Sequence, residues 1–175
     1  PVGELIAVVT GNSKDQEADI VLSSVRDGSI ITNLTNGFDQ DKGFEFIVTP
    51  GSRWNTVPWM SWSPSGNQLA YFVRNEKSRT LIIQNVNTGK IDQRFPMRTV
   101  DDPESPDFSP DGRKVAFSGN LAGRFDIFEM DLDSGEIVNL TNDEDYDGAP
   151  AYSPDGTSIV YSTVVGDNYA QLWRL

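Results

Sequence analysis

The side chains of this chain that could bind or react are mostly carboxylates. Asp and Glu number 26 against 14 Lys and Arg, and there is neither histidine nor cysteine. Those two absences remove the usual proton carrier near neutral pH, the thiolate nucleophile and nitrogen- or sulfur-based metal sites. A Ser-His-Asp triad cannot be assembled, and no Gly-x-Ser-x-Gly elbow occurs. Carboxylates without such partners can still hold a hard cation or meet a basic surface. The sharpest pattern of this kind is Asp143-x-Asp145-x-Asp147-Gly148. It matches the opening of a calcium loop, where alternating carboxylates converge on one ion and Gly permits the turn. Asp143, Asp145 and Asp147 are therefore the expected calcium ligands. Pro154 stands where the twelfth-position Glu of such a loop belongs. The alternative is an acidic turn whose oxygens are satisfied by its own backbone and water.

A second set of residues suits recognition rather than catalysis. Asp101, Asp102 and Glu104 form another acidic cluster, and Arg53, Trp54 and Trp59 lie close together in sequence. Arg and aromatic side chains are the commonest anchors of protein interfaces. Arg53, Trp54, Trp59, Asp101, Asp102, Glu104, Asp143 and Asp145 are thus the expected contacts for a protein partner. The net charge of -12, with pI about 4.3, argues against nucleic acid and anionic lipid, whose phosphates would be repelled. The apolar run 5–9 is too short to insert across a bilayer. An export signal, if the protein has one, is expected outside these residues.

These groups need a scaffold, and the sequence repeats it. Trp62-Ser63-Pro64-Ser65-Gly66, Phe108-Ser109-Pro110-Asp111-Gly112 and Tyr152-Ser153-Pro154-Asp155-Gly156 place their glycines 46 and then 44 residues apart. Each block has the chemistry of a tight turn: Pro presets φ, Ser or Asp bonds nearby backbone, and Gly accepts a left-handed conformation. An apolar triplet follows each, at Leu69-Ala70-Tyr71, Val115-Ala116-Phe117 and Ile159-Val160-Tyr161. A second turn recurs around Gly28, Gly89 and Gly135, eight residues after Ile20, Leu81 and Ile127. One unit then reads as four antiparallel strands in about 45 residues, the length of a propeller blade. Asn33-Leu34-Thr35 and Asn139-Leu140-Thr141 match the glycosylation sequon, but both fall at one point of the repeat, which explains them without a glycan.

The aromatic-Ser-Pro-Asp-Gly turn, the apolar triplet and the Asn-Leu-Thr ending resemble the TolB-type β-propeller repeat. That repeat occurs in periplasmic proteins and in propellers of prolyl-oligopeptidase-like peptidases. The resemblance implies an all-β propeller of four-stranded antiparallel blades. About four are expected here: blade one at 1–35, an insertion of about 16 residues within 36–56, and further blades at 57–95, 105–141 and 149–175. The first is expected to lack its inner strand and the last its outer one, as in part of a ring of about six to eight blades. The rest of the propeller, or a second copy of the chain, is the expected neighbour. Phe44 to Val48 in the insertion read either as an extra strand or as part of a partner-binding loop. Up-and-down strand order puts both kinds of Gly turn at one end of the blades and the variable connections at the other. The implied function is a non-enzymatic protein-interaction scaffold in a bacterial envelope, periplasmic or secreted protein. The alternative is the regulatory propeller of a peptidase whose catalytic domain lies elsewhere.

Overall fold

The computed structural model describes residues 4–11, 18–35, 45–46, 59–74, 78–165 and 169–175. Every regular element among them is a β-strand, arranged in antiparallel sheets. The first sheet runs β1 (Leu5–Gly11), β2 (Ala18–Ser24), β3 (Ile30–Asn33). The second is built on β6 (Gln68–Arg74), β7 (Arg79–Asn85) and β8 (Ile91–Met97). Its inner edge is shared by β4 (Glu45–Phe46) and β5 (Met60–Trp62), which pair with different stretches of β6. The third sheet holds β9 (Asp101–Phe108), β10 (Lys114–Leu121), β11 (Arg124–Asp131) and β12 (Ile137–Asn139). The fourth holds β13 (Tyr146–Tyr152), β14 (Ile159–Val165) and β15 (Tyr169–Arg174). This is the all-β propeller architecture that the repeat implies. Within the insertion, Glu45 and Phe46 pair with Arg74 and Val73, as an extra strand would; its other residues, including Arg53 and Trp54, lie outside the described residues.

The repeated turns form because each closes its own hydrogen bonds. Ser109 Oγ donates to Asp111 Oδ1 at 2.6 Å and accepts from the Lys114 N–H at 2.9 Å, while the Gly112 N–H reaches the Ser109 carbonyl. The fourth sheet repeats this with Ser153, Asp155 and Gly156. The turns also stack between blades. A Cβ on Gly112 would stand 3.6 Å from Pro64 Cδ, and one on Gly156 would stand 3.5 Å from Pro110 Cδ. Both kinds of turn lie at one end, since the Leu132 N–H donates to the Arg113 carbonyl and the Val86 N–H to the Asn67 carbonyl.

The Asn-Leu-Thr endings act as a latch. Thr35 Oγ1 accepts from the Ile20 N–H and donates to Asp19 Oδ1, and Thr141 makes the corresponding contacts with Ile127 and Asp126. The blades pack face to face through two apolar cores. Ile20, Leu22 and Leu34 meet Leu69, Tyr71 and Val73, while Phe72, Leu81 and Ile83 meet Val115, Phe117 and Phe128.

The turn aspartates carry a pH signature. The Ser153 hydroxyl, then the Thr157 N–H and hydroxyl, hold the Asp155 carboxyl down at about 2 against an ordinary 3.8. Asp111, bonded first by Ser109, is lowered in the same way. A carboxyl lowered on folding stabilises the fold above its ordinary pKa and loses that contribution as pH falls through the folded value. The melting temperature is therefore expected to fall between about pH 4 and pH 2, and to fall less steeply in Asp155→Asn. Parallel melting curves for the two proteins check this; identical slopes contradict it.

Candidate functional site

At the end of the blades opposite the Gly turns, the connections differ from sheet to sheet. Asp101, Asp102 and Glu104 all lie in the first half of β9, the inner strand of the third sheet. Arg79, at the start of β7, crosses to them. It pairs with Asp101 Oδ1 at 2.9 Å and with Asp102 Oδ1 at 3.0 Å, so the second sheet is tied to the third by an exposed ionic bridge. Such bridges are screened by solvent and set orientation more than stability. Trp59 lies just before β5 and keeps 50% of its surface exposed. The stretch 75–79, which Arg79 ends, is the most basic spot in the sequence; that Arg79 meets Asp101 and Asp102 is visible only in the structure.

Asp143 and Asp145 lie in the connection from β12 to β13, and Asp147 is the second residue of β13. The structure brings Asp143 and Asp147 together, and the third member of the group is Asp126 in β11. One oxygen from each lies within 4.8 Å of the others. Asp145 stands outside this group; its backbone N–H donates to Asp143 Oδ1 at 2.9 Å and so helps orient it. Asp126 is fully buried, Asp143 exposed and Asp147 buried.

A β-bulge determines where Asp147 points. Tyr152 pairs with Ile159 and Asp147 with Thr163, with a register shift between Gly148 and Ala151. Ala149 absorbs the shift in a left-handed conformation, φ 51°. An unbroken strand would put Asp147 on the face opposite Tyr152, because the side-chain period is two. The bulge moves it to the buried face that carries Ile159, Tyr161 and Thr163.

The electrostatics follow from this burial. Desolvation raises the Asp147 carboxyl above its ordinary value, and the nearby Asp143 and Asp126 charges push the same way. The Thr163 and Thr141 hydroxyls beside it pull in the opposite direction. Tyr161 is raised first by burial, then by Asp147, Asp143 and Asp145. Tyr146 is raised by burial and by Glu104, which links this loop to the β9 cluster; its ring packs on Phe125 at 4.7 Å. This end of the blades thus offers an exposed Trp, an Arg-bridged acidic strand and a partly buried carboxylate group.

Comparison with known proteins agrees with this architecture. The family described as TolB beta propeller domain matches residues 37–174. An uncharacterised protein of Agrobacterium fabrum is 38% identical over 68 residues, which are 39% of this chain and 23% of that protein. The Tol-Pal system protein TolB of Francisella tularensis subsp. mediasiatica is 28% identical over 71 residues, 40% of this chain and 16% of that protein. The matched stretch therefore spans less than a quarter of either relative, at 23% and 16%. Among solved structures, a putative TolB from Agrobacterium tumefaciens superposes with a TM-score of 0.74 at 18% identity, covering 100% of this chain and 58% of that one. A prolyl endopeptidase superposes with a TM-score of 0.65 at 13% identity, covering 98% of this chain and 26% of that one. At these identities the two superpositions report the fold.

Proposed function

The chain belongs to the TolB beta propeller domain family, and from that membership we propose that it is a non-enzymatic binding module whose variable end recognises a protein partner. We place it in a bacterial envelope or secreted protein, on the periplasmic or extracellular side. One observation carries this reading: the two ends of the blades are used differently. The Ser, Asp and Gly side of the repeat spends its polar groups on its own turns. At the other end Trp59 is half exposed, and Asp101, Asp102 and Asp143 point charge outward. A relative that is named as a Tol-Pal system protein supports a role within a protein assembly. The chain's lack of His and Cys supports a module without catalysis of its own. No helix among the described residues is long and apolar enough to cross a membrane.

Site-specific photocrosslinking in the native bacterium tests the reading. A crosslinker at Trp59, Asp101 or Asp143 is expected to capture one discrete protein, and one at Pro110 or Asp133 is not. For that captured protein, purified, Trp59→Ala is expected to weaken binding by about 2 kcal/mol, roughly 30-fold. Capture confined to the Pro110 and Asp133 positions overturns the proposal.

A second reading, the regulatory propeller of a prolyl-oligopeptidase-like serine peptidase, draws on the fold shared with prolyl endopeptidase. A hydrolase domain with a Gly-x-Ser-x-Gly elbow in the same full-length gene product decides for it.

A further inference from the structure

The third and fourth sheets solve the same problem with different chemistry. In the third, Ser105 takes a left-handed conformation, φ 52°, at the place in the repeat where Ala149 does so in the fourth. The residue two positions earlier in the third sheet is Pro103. It is buried, and its Cα would stand 3.6 Å from a Cβ on Gly119. Nothing there requires a polar partner. In the fourth sheet the matching pair is Asp147 and Thr163. Asp147 is 1% exposed and Thr163 2%, and both Asp147 carboxylate oxygens and the Thr163 hydroxyl lack a hydrogen-bond partner. Buried polar groups in native proteins are almost always satisfied, and an isolated buried carboxylate is among the costliest exceptions.

The repeat therefore does not demand this acid, and its surroundings do not neutralise it. Two more carboxylates converge on it, from Asp126 and Asp143. Among the described residues no Lys or Arg forms an ion pair with any of the three. Asp126 is also fixed in place: Asn139 Nδ2 donates to its Oδ2 at 2.8 Å. Three carboxylates held this close repel one another unless a cation or a shared proton lies between them.

We propose that Asp126, Asp143 and Asp147 bind a hard divalent cation, calcium first, at the junction of the third and fourth sheets. The donor set is oxygen only, which suits calcium or magnesium and disfavours softer metals. Calcium–oxygen distances of about 2.3–2.6 Å let oxygens that share one ion stand up to about 5 Å apart, and these three stand within 4.8 Å. Thr163 supplies a further oxygen beside Asp147. The exposed Asp143 gives the ion a route in, while the two buried carboxylates fix its position. Occupation pins β11 of one blade to β13 of the next. Asp145 contributes its backbone N–H to Asp143 and no ligand, so the site joins residues from two blades instead of one Asp-x-Asp-x-Asp loop.

The test is calcium titration of the chelator-stripped chain, followed by calorimetry and by melting temperature. One saturable site and a rise in melting temperature with millimolar calcium are expected, because a ligand of the folded state stabilises it. Asp143→Asn, at an exposed position that folding tolerates, is expected to weaken calcium on the order of tenfold or more. Asp145→Asn is expected to bind like the parent. Asp147→Asn is expected to lose binding while melting at or above the parent in calcium-free buffer, since a neutral amide needs no counter-ion. Absence of saturable calcium or magnesium binding overturns the proposal. So does an unchanged affinity in Asp143→Asn, or loss of binding in Asp145→Asn.

Discussion

Phe117→Ala is expected to cost about 3–5 kcal/mol of unfolding free energy and to lower the melting temperature on the order of 10 °C. Phe117 is wholly buried on β10, where the strand passes between two neighbouring blades. Its ring lies 5.6 Å from Phe128, the residue opposite it in the β10–β11 register, and 5.4 Å from Phe72 in the adjacent sheet. Truncation removes contacts within one sheet and between two, and leaves a cavity that rigid sheets cannot close. Val138→Ala serves as the control. Val138 is 47% exposed on the outer strand β12, and its truncation is expected to stay within about 0.5 kcal/mol. Chemical denaturation of the three proteins settles the matter; a loss below about 1 kcal/mol at Phe117 would show that the blades do not share this core.

The second large effect concerns the two sheet faces that no described blade covers. On the first sheet Ile6 and Val8 are 46% and 36% exposed along β1, although their cross-strand neighbours Ser23 and Val21 on the same face are buried, while Leu5, Ala7 and Val9 on the other side of β1 pack on the second sheet's core. On the fourth sheet Val160 is 37% and Leu172 79% exposed, while Ile159 and Tyr161 face inward. Blades pack by burying both faces, so these two surfaces are expected to receive another blade. For the 175-residue chain by itself, the available blade is that of a second copy. The isolated protein is expected to scatter light at about twice 19.4 kDa, with the first sheet of each copy on the fourth sheet of the other. Because Leu172 then sits in both junctions, Leu172→Lys is expected to return the protein to a monomer. A stable, cooperatively unfolding monomer of the unmodified chain would sink this arrangement.

The sequence by itself determined the parts of this protein whose physics is local. The Ser-Pro-Asp-Gly turns were legible because Ser109, Asp111 and Gly112 complete their hydrogen bonds within five residues of chain. The apolar triplets recur 46 and then 44 residues apart, and the Asn-Leu-Thr ending closes two of the units, so strand order and blade architecture followed from the repeat. The carboxylate group followed only partly. Asp143 and Asp147 were visible as a pattern along the chain, but Asp126 belongs to the preceding blade and already has a role in the Thr141 latch. The pairing of Arg79 was hidden in the same way, since its partners Asp101 and Asp102 lie across a blade boundary. Only the tertiary structure decided that Asp147 faces the interior and that Asp145 does not join it. Side-chain direction along a strand depends on parity. One left-handed residue, Ala149, reverses that parity in a way that spacing along the chain does not show.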